Sequence, residues 1–186
     1  MIKIFIDQGH NPRNPNAGAE GNGFREQDIT FKVGLKLAEL LNANPDFEAK
    51  LSRNNAQEIL GNSNAESLRL RVDSANNWGA DAFISIHLNY SVIESATGCE
   101  AYVYRLYSPA FYLAENIVLR LSEATGYPDR GVFARPTLYV LRKTKMPAVL
   151  VEIGFISNPG EAVYMNDNTS LYARGIYNGI LSYYRK

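Results

Sequence analysis

Short, nearly continuous apolar runs alternate along this chain with segments whose apolar residues recur every three or four positions. That alternation constrains the fold more than any other feature. Ile2 to Asp7 and Ala148 to Ile153 lack the in-and-out pattern of a sheet with one wet face, so they predict strands buried on both sides. Phe47 to Leu51, Ala82 to Ile86, Glu100 to Tyr104 and Thr137 to Leu141 are read as four further strands. Between them, Ile29, Val33, Leu37, Leu40 and Leu41 fall at helical spacing, with Pro45 just past the end. Ser63 and Glu66 form an S-x-x-E start for a second helix, and Ser108-Pro109 starts a third that runs to about Glu123. Asn158-Pro159 and Thr169 open the closing helices, the last running nearly to Arg185. Strands separated by helical crossovers predict an α/β fold with a largely parallel sheet and helices on both faces. With 186 residues and no linker-like stretch, one domain over residues 1–186 is expected. A sheet of this kind gathers functional side chains at the carboxyl ends of its strands.

Charge and composition narrow the function. Nineteen basic residues balance nineteen acidic ones, so the basic excess of a nucleic-acid binder is missing. Cys99 is the only cysteine, which excludes an intrachain disulfide and a cysteine-rich metal site; a small buried residue is expected there. No apolar run approaches the roughly 18 residues of a membrane span. The apolar stretch after Met1 is too short for a signal peptide and lacks a cleavage site, so none is expected.

Both histidines stand where the strand-end rule puts a site. His10 follows the first strand by three residues and His87 closes the third. Glu26 begins the first helix in line with Ile29 and Val33, and Glu152 lies near the end of an otherwise apolar strand. Taken singly, each histidine reads as an ordinary polar residue at a strand end. Glu26 reads as an acid favoured by the helix dipole, and Glu152 as half of an ion pair. Together they supply two histidines and a carboxylate, which is a catalytic zinc set, and a second carboxylate able to move a proton. Gly18, Gly21 and Gly23 run G-x-x-G-x-G in a long loop, the wrong order for a dinucleotide turn; close approach to a ligand or positive φ is the expected reason for them.

At these four residues the chain resembles the zinc-dependent N-acetylmuramoyl-L-alanine amidases, the family of bacterial autolysins and of phage and spore lytic enzymes. The matching stretches are IDQGHNPRNPNAGAEGNGFRE (6–26), ADAFISIHLN (80–89), RGVFARPTLYVLR (130–142) and TKMPAVLVEIGFISNP (144–159). The resemblance implies a twisted six-stranded sheet, Zn2+ held by His10, Glu26 and His87, and Glu152 as the catalytic acid/base. Two departures stand out. Asn11-Pro12 replaces the glycine pair usual after the first histidine, and Arg53 is followed by Asn54-Asn55-Ala56 where an Arg-x-x-Asp pattern is common. Family members under partner control carry an inserted helix after the strand equivalent to Glu100–Tyr104; no room for one exists here, so no activator protein is expected.

The expected substrate is peptidoglycan or a muropeptide, cut at the amide between N-acetylmuramic acid and L-alanine, which places the action on the cell wall. Asn89 and Arg130 are candidates for contact with the stem peptide or the developing oxyanion; a surface ion pair is the other role open to Arg130. Tyr177, Tyr183 and Tyr184 suit either sugar stacking or packing of the last helix. A zinc peptidase acting on the peptide stem, a wall-binding module without catalysis, and a metal-free structural domain are the competing readings.

Overall fold

The computed structural model describes residues 1–185. In chain order the elements are β1 (Ile2–Gln8), β2 (Glu20–Gly21), β3 (Phe24–Arg25), α1 (Glu26–Asn42), β4 (Phe47–Leu51), α2 (Asn64–Trp78), β5 (Ala82–Asn89) and β6 (Cys99–Val103). They continue as α3 (Pro109–Thr125), β7 (Asp129–Ala134), α4 (Tyr139–Lys143), β8 (Ala148–Phe155), α5 (Pro159–Asp167) and α6 (Thr169–Tyr184). Six strands form one sheet in the order β4-β1-β5-β8-β6-β7. The first four run parallel, β6 is antiparallel to β8, and β7 is parallel to β6.

Alternate strand residues feed two cores. Ile4, Ile6, Ile84, Ile86, Val149 and Val151 pack with Val33 and Leu37 of α1, Leu113 and Ile117 of α3, and Ile176 and Ile180 of α6. The opposite face sends Phe5, Phe83 and Leu150 against Val72 and Ala75 of α2 and Val140 and Leu141 of α4. This second cover is small, and it leaves the carboxyl ends of β1, β5 and β8 open on that face. Cys99 is buried as expected.

The capping residues act as their chemistry requires. The Ser63 hydroxyl accepts from the Glu66 N–H at 3.1 Å, Ser108 accepts from the Phe111 N–H at 3.3 Å, and the Asn158 amide oxygen accepts from the Glu161 N–H at 3.0 Å. The closing tyrosines pack: the Tyr177 hydroxyl accepts from the Asn44 side chain at 3.0 Å, and Tyr184 meets the Phe47 ring edge-on.

One strand lies elsewhere than expected. Thr137 to Leu141 is not a strand; Tyr139–Lys143 is a short helix, and the sixth strand is Asp129–Ala134. Pro136 cannot donate to a ladder. Val140 and Leu141 are consecutive and both buried, which a helical turn over one face achieves and a strand's alternation does not. β7 sits at the sheet edge with little buried surface, so its residues carry a weak apolar signal.

Candidate metal and catalytic site

The long loop after β1 is held by Arg71 on α2. This guanidinium is almost wholly buried and donates to the Asp7 carboxylate at 2.6 Å, the Gln8 carbonyl at 2.7 Å, the His10 carbonyl at 2.7 Å and the Asn11 side-chain oxygen at 3.2 Å. The Ser85 hydroxyl donates to the second oxygen of Asp7 at 2.8 Å. Burial works to raise the Asp7 pKa, and the charge and hydrogen bond of Arg71, helped by the hydrogen bond from Ser85, outweigh it, holding the group below its ordinary value. His10 needs such support, because its backbone lies in the left-handed region at φ 69°. Asn11, in place of a flexible glycine, ties the loop to residue 60 by exchanging side-chain and backbone hydrogen bonds with Leu60.

β2 and β3 fold the rest of this loop back onto the site. Asn22 and Gly23, both at positive φ (53° and 82°), form the two-residue turn between them. Gly18 is a point of close approach: a Cβ there would lie 2.8 Å from the His10 ring and 2.9 Å from Glu26 Cβ. Gly23 takes the positive φ expected in this loop, while the close approach at Gly18 is to the side chains of His10 and Glu26.

Glu26 is the first residue of α1, and its carboxylate is fixed from several sides. Oε2 accepts from the Ala19 N–H at 2.9 Å, and Oε1 accepts from the Leu88 N–H at 2.9 Å. Oε1 also lies 3.2 Å from His10 Nε2 and 3.0 Å from His87 Nδ1. Burial would raise the Glu26 pKa, but the hydrogen bonds and charges of the two histidines overcome it and hold the carboxyl well below the usual range. Among the described residues no lysine or arginine pairs with it. One ligand atom from each of His10, Glu26 and His87 falls within 4.8 Å of the others. Two imidazole nitrogens and one carboxylate oxygen converging at a partly open cleft could hold a metal ion.

Glu152 is the direct cross-strand neighbour of His87 on one side and of Glu100 on the other. The three form a row on the open face, beyond Leu150 and the cover of α4. Glu152 as a residue is only partly covered, yet its Oε2 is sealed from solvent and has no hydrogen-bond partner. Burial, reinforced by the nearby Glu26 and Glu100 charges, pushes its pKa well above the ordinary carboxylate value. A buried oxygen with no partner is costly unless a ligand or reacting group completes it.

Asn89 and Arg130 come to the same end of the sheet, and both hold Glu100. Asn89 Nδ2 donates to Glu100 Oε1 and Arg130 Nε to Oε2, each at 2.9 Å, and the Tyr102 hydroxyl donates to Oε1 as well. Arg130 therefore makes an ion pair, with 41% of its side chain still exposed. Asp7, Arg71 and Glu100 escaped the sequence reading. An arginine on a mostly polar helix gives no local sign that its partners lie about 60 residues away, and Glu100 lies next to Cys99 in an unremarkable strand.

A profile of the N-acetylmuramoyl-L-alanine amidase family matches residues 4–182. The sporulation-specific N-acetylmuramoyl-L-alanine amidase of Bacillus subtilis (strain 168) is 36% identical over 184 residues, covering 97% of this chain and 67% of that protein. The solved catalytic domain of CwlV, an N-acetylmuramoyl-L-alanine amidase from Bacillus (Paenibacillus) polymyxa var. colistinus, superposes with a TM-score of 0.86 at 33% identity, over 98% of each chain. The CwlD amidase from Clostridioides difficile, solved in complex with the GerS lipoprotein, gives a TM-score of 0.90 at 26% identity, again over 98% of each chain.

Proposed function

This chain belongs to the N-acetylmuramoyl-L-alanine amidase family of peptidoglycan hydrolases, and we propose that it works as a zinc enzyme with Glu152 as its general acid/base. One observation carries the reading: the His10–Glu26–His87 cluster adjoins a carboxylate whose buried oxygen has no partner. His10, Glu26 and His87 hold the metal. Zinc bound there supplies Lewis acidity, polarising the lactyl carbonyl and lowering the pKa of water toward about 7.

The chain's own residues do the rest. Glu26, pinned by two backbone N–H groups, keeps the two histidines at fixed distances. Glu152 takes a proton from the attacking water as the new C–O bond forms. It returns that proton to the L-alanine nitrogen as the C–N bond breaks, leaving a lactyl carboxylic acid and a free stem peptide. Asn89 and Arg130 meet the substrate from the β6 side of the cleft while holding Glu100. Only residues 104–108 separate β6 from α3, so no inserted helix covers the site from there, which supports a domain that acts without an activator protein.

The test uses two variants. Glu152→Gln keeps size and shape but cannot accept a proton, so zinc content should persist while muropeptide cleavage falls by about 10²- to 10⁴-fold. His87→Ala removes one of three protein ligands, so zinc itself should be lost. Mass analysis of digested muropeptides and elemental analysis read both. Zinc loss in Glu152→Gln would make Glu152 a ligand, and full activity would end its role as a base.

A further inference from the structure

The wall of the cleft beside the two histidines is mostly apolar. A cavity of about 130 Å³ opens there between α2 and the start of α4. Leu68 comes from α2, Leu138 and Tyr139 from around the start of α4, and Leu150 from β8, while the rings of His10 and His87, Asn16 and the buried Asp7–Arg71 pair close the remaining side. Leu68, Leu138 and Tyr139 are half-buried, so the space is open to the cleft, and Leu150 is buried beneath it. An apolar cavity of about 150 Å³ can hold a benzene-sized molecule, so this one has ample room for a methyl or another small alkyl group.

We propose that this cavity seats a methyl group flanking the scissile amide and makes Leu68 and Leu138 specificity-determining residues, an inference that rests on the amidase reading above. The reacting carbonyl must lie against the histidine cluster and Glu152. Because His10 and His87 belong both to that cluster and to the cavity wall, a substituent one or two bonds from the carbonyl reaches the cavity. The muramyl-L-alanine amide carries a methyl on each side, one on the lactyl carbon and one on the alanine Cα. Both are small, apolar and matched to a leucine-lined recess.

The experiment measures kcat/KM for four synthetic muramyl peptides, pairing lactyl or glycolyl ethers with L-alanine or glycine at the first stem position. A seated methyl in an apolar pocket is worth roughly 10- to 200-fold in such a ratio. Wild type should show that preference for one of the two methyls. Leu138→Phe and, independently, Leu68→Phe fill the cavity and should collapse the same ratio toward unity, with zinc content unchanged by elemental analysis. The pair whose ratio collapses identifies which methyl is seated. Preferences that persist in both filled variants, or wild type indifferent to both methyls, would overturn the pocket while leaving the amidase reading intact. Failure of wild type to cut any of the four would overturn the amidase reading, and the pocket with it.

Discussion

Arg71 and Asp7 show how a buried charge can serve a site it does not touch chemically. Four of the acceptors of Arg71 lie on Asp7, Gln8, His10 and Asn11, so the guanidinium sets the path of the chain into the left-handed His10. Removing one partner leaves the other buried and uncompensated, which typically costs about 3–5 kcal/mol. Asp7→Asn should therefore destabilise the fold in urea titrations by about that amount at pH 7. Because the folded Asp7 pKa lies below its ordinary value, its contribution is present above that ordinary value and is lost as pH falls through the folded one. The gap between wild type and Asp7→Asn should accordingly narrow in acid. A gap that widened would contradict the ion pair. Gly18→Ala tests the other side of the site. Its Cβ would press on His10 and Glu26, so zinc affinity, read by chelator competition, should fall by about 10-fold or more, as when groups supporting metal ligands are disturbed.

The β2–β3 hairpin is the smallest element and has the clearest local code. Asn22-Gly23 supplies two residues tolerant of positive φ, as a two-residue turn between antiparallel strands requires. Gly23 was marked in the sequence as a candidate for positive φ; two-residue strands are too short to show alternation, so the hairpin was not read. The Asn22 side chain also donates to the Ile156 carbonyl at 2.9 Å, fastening the turn to the segment after β8. Gly23→Val should strain the turn by about 1–2 kcal/mol, since a β-branched residue is poorly suited to this region. Thermal unfolding should show a matching drop in Tm. The caps and buried strands were read correctly because each depends on neighbours in sequence. The exchange of β7 for α4 shows the limit, since an edge strand buries little and a five-residue helix makes one turn of pattern.

For the whole molecule, the parallel strands deliver His10, His87 and Glu152 to one end of the sheet, and the small α2/α4 cover leaves that end open. A ligand that binds only the folded state stabilises it by mass action. Zinc should therefore raise the Tm of chelator-treated protein, and the gain should vanish in His87→Ala. No helix among the described residues is long and apolar enough to cross a membrane. With residues 104–108 as the only link between β6 and α3, purified protein should release soluble fragments from cell walls unaided. Strict dependence on an added partner would refute that expectation.

Periodicity along the chain determined the α/β class, the buried strands and the helix starts, because these depend on contacts within a few residues. The same reading picked out His10, His87 and Glu152 at or just past strand ends and Glu26 at a helix start, and the resemblance to the amidase family supplied the roles expected of them. Tertiary structure alone decided the rest: that His87, Glu152 and Glu100 form one row, that Arg71 grips the His10 loop, and that Asn89 and Arg130 both engage Glu100. Those relations depend on strand order and register, which join residues far apart in sequence through backbone hydrogen bonds that no local pattern encodes.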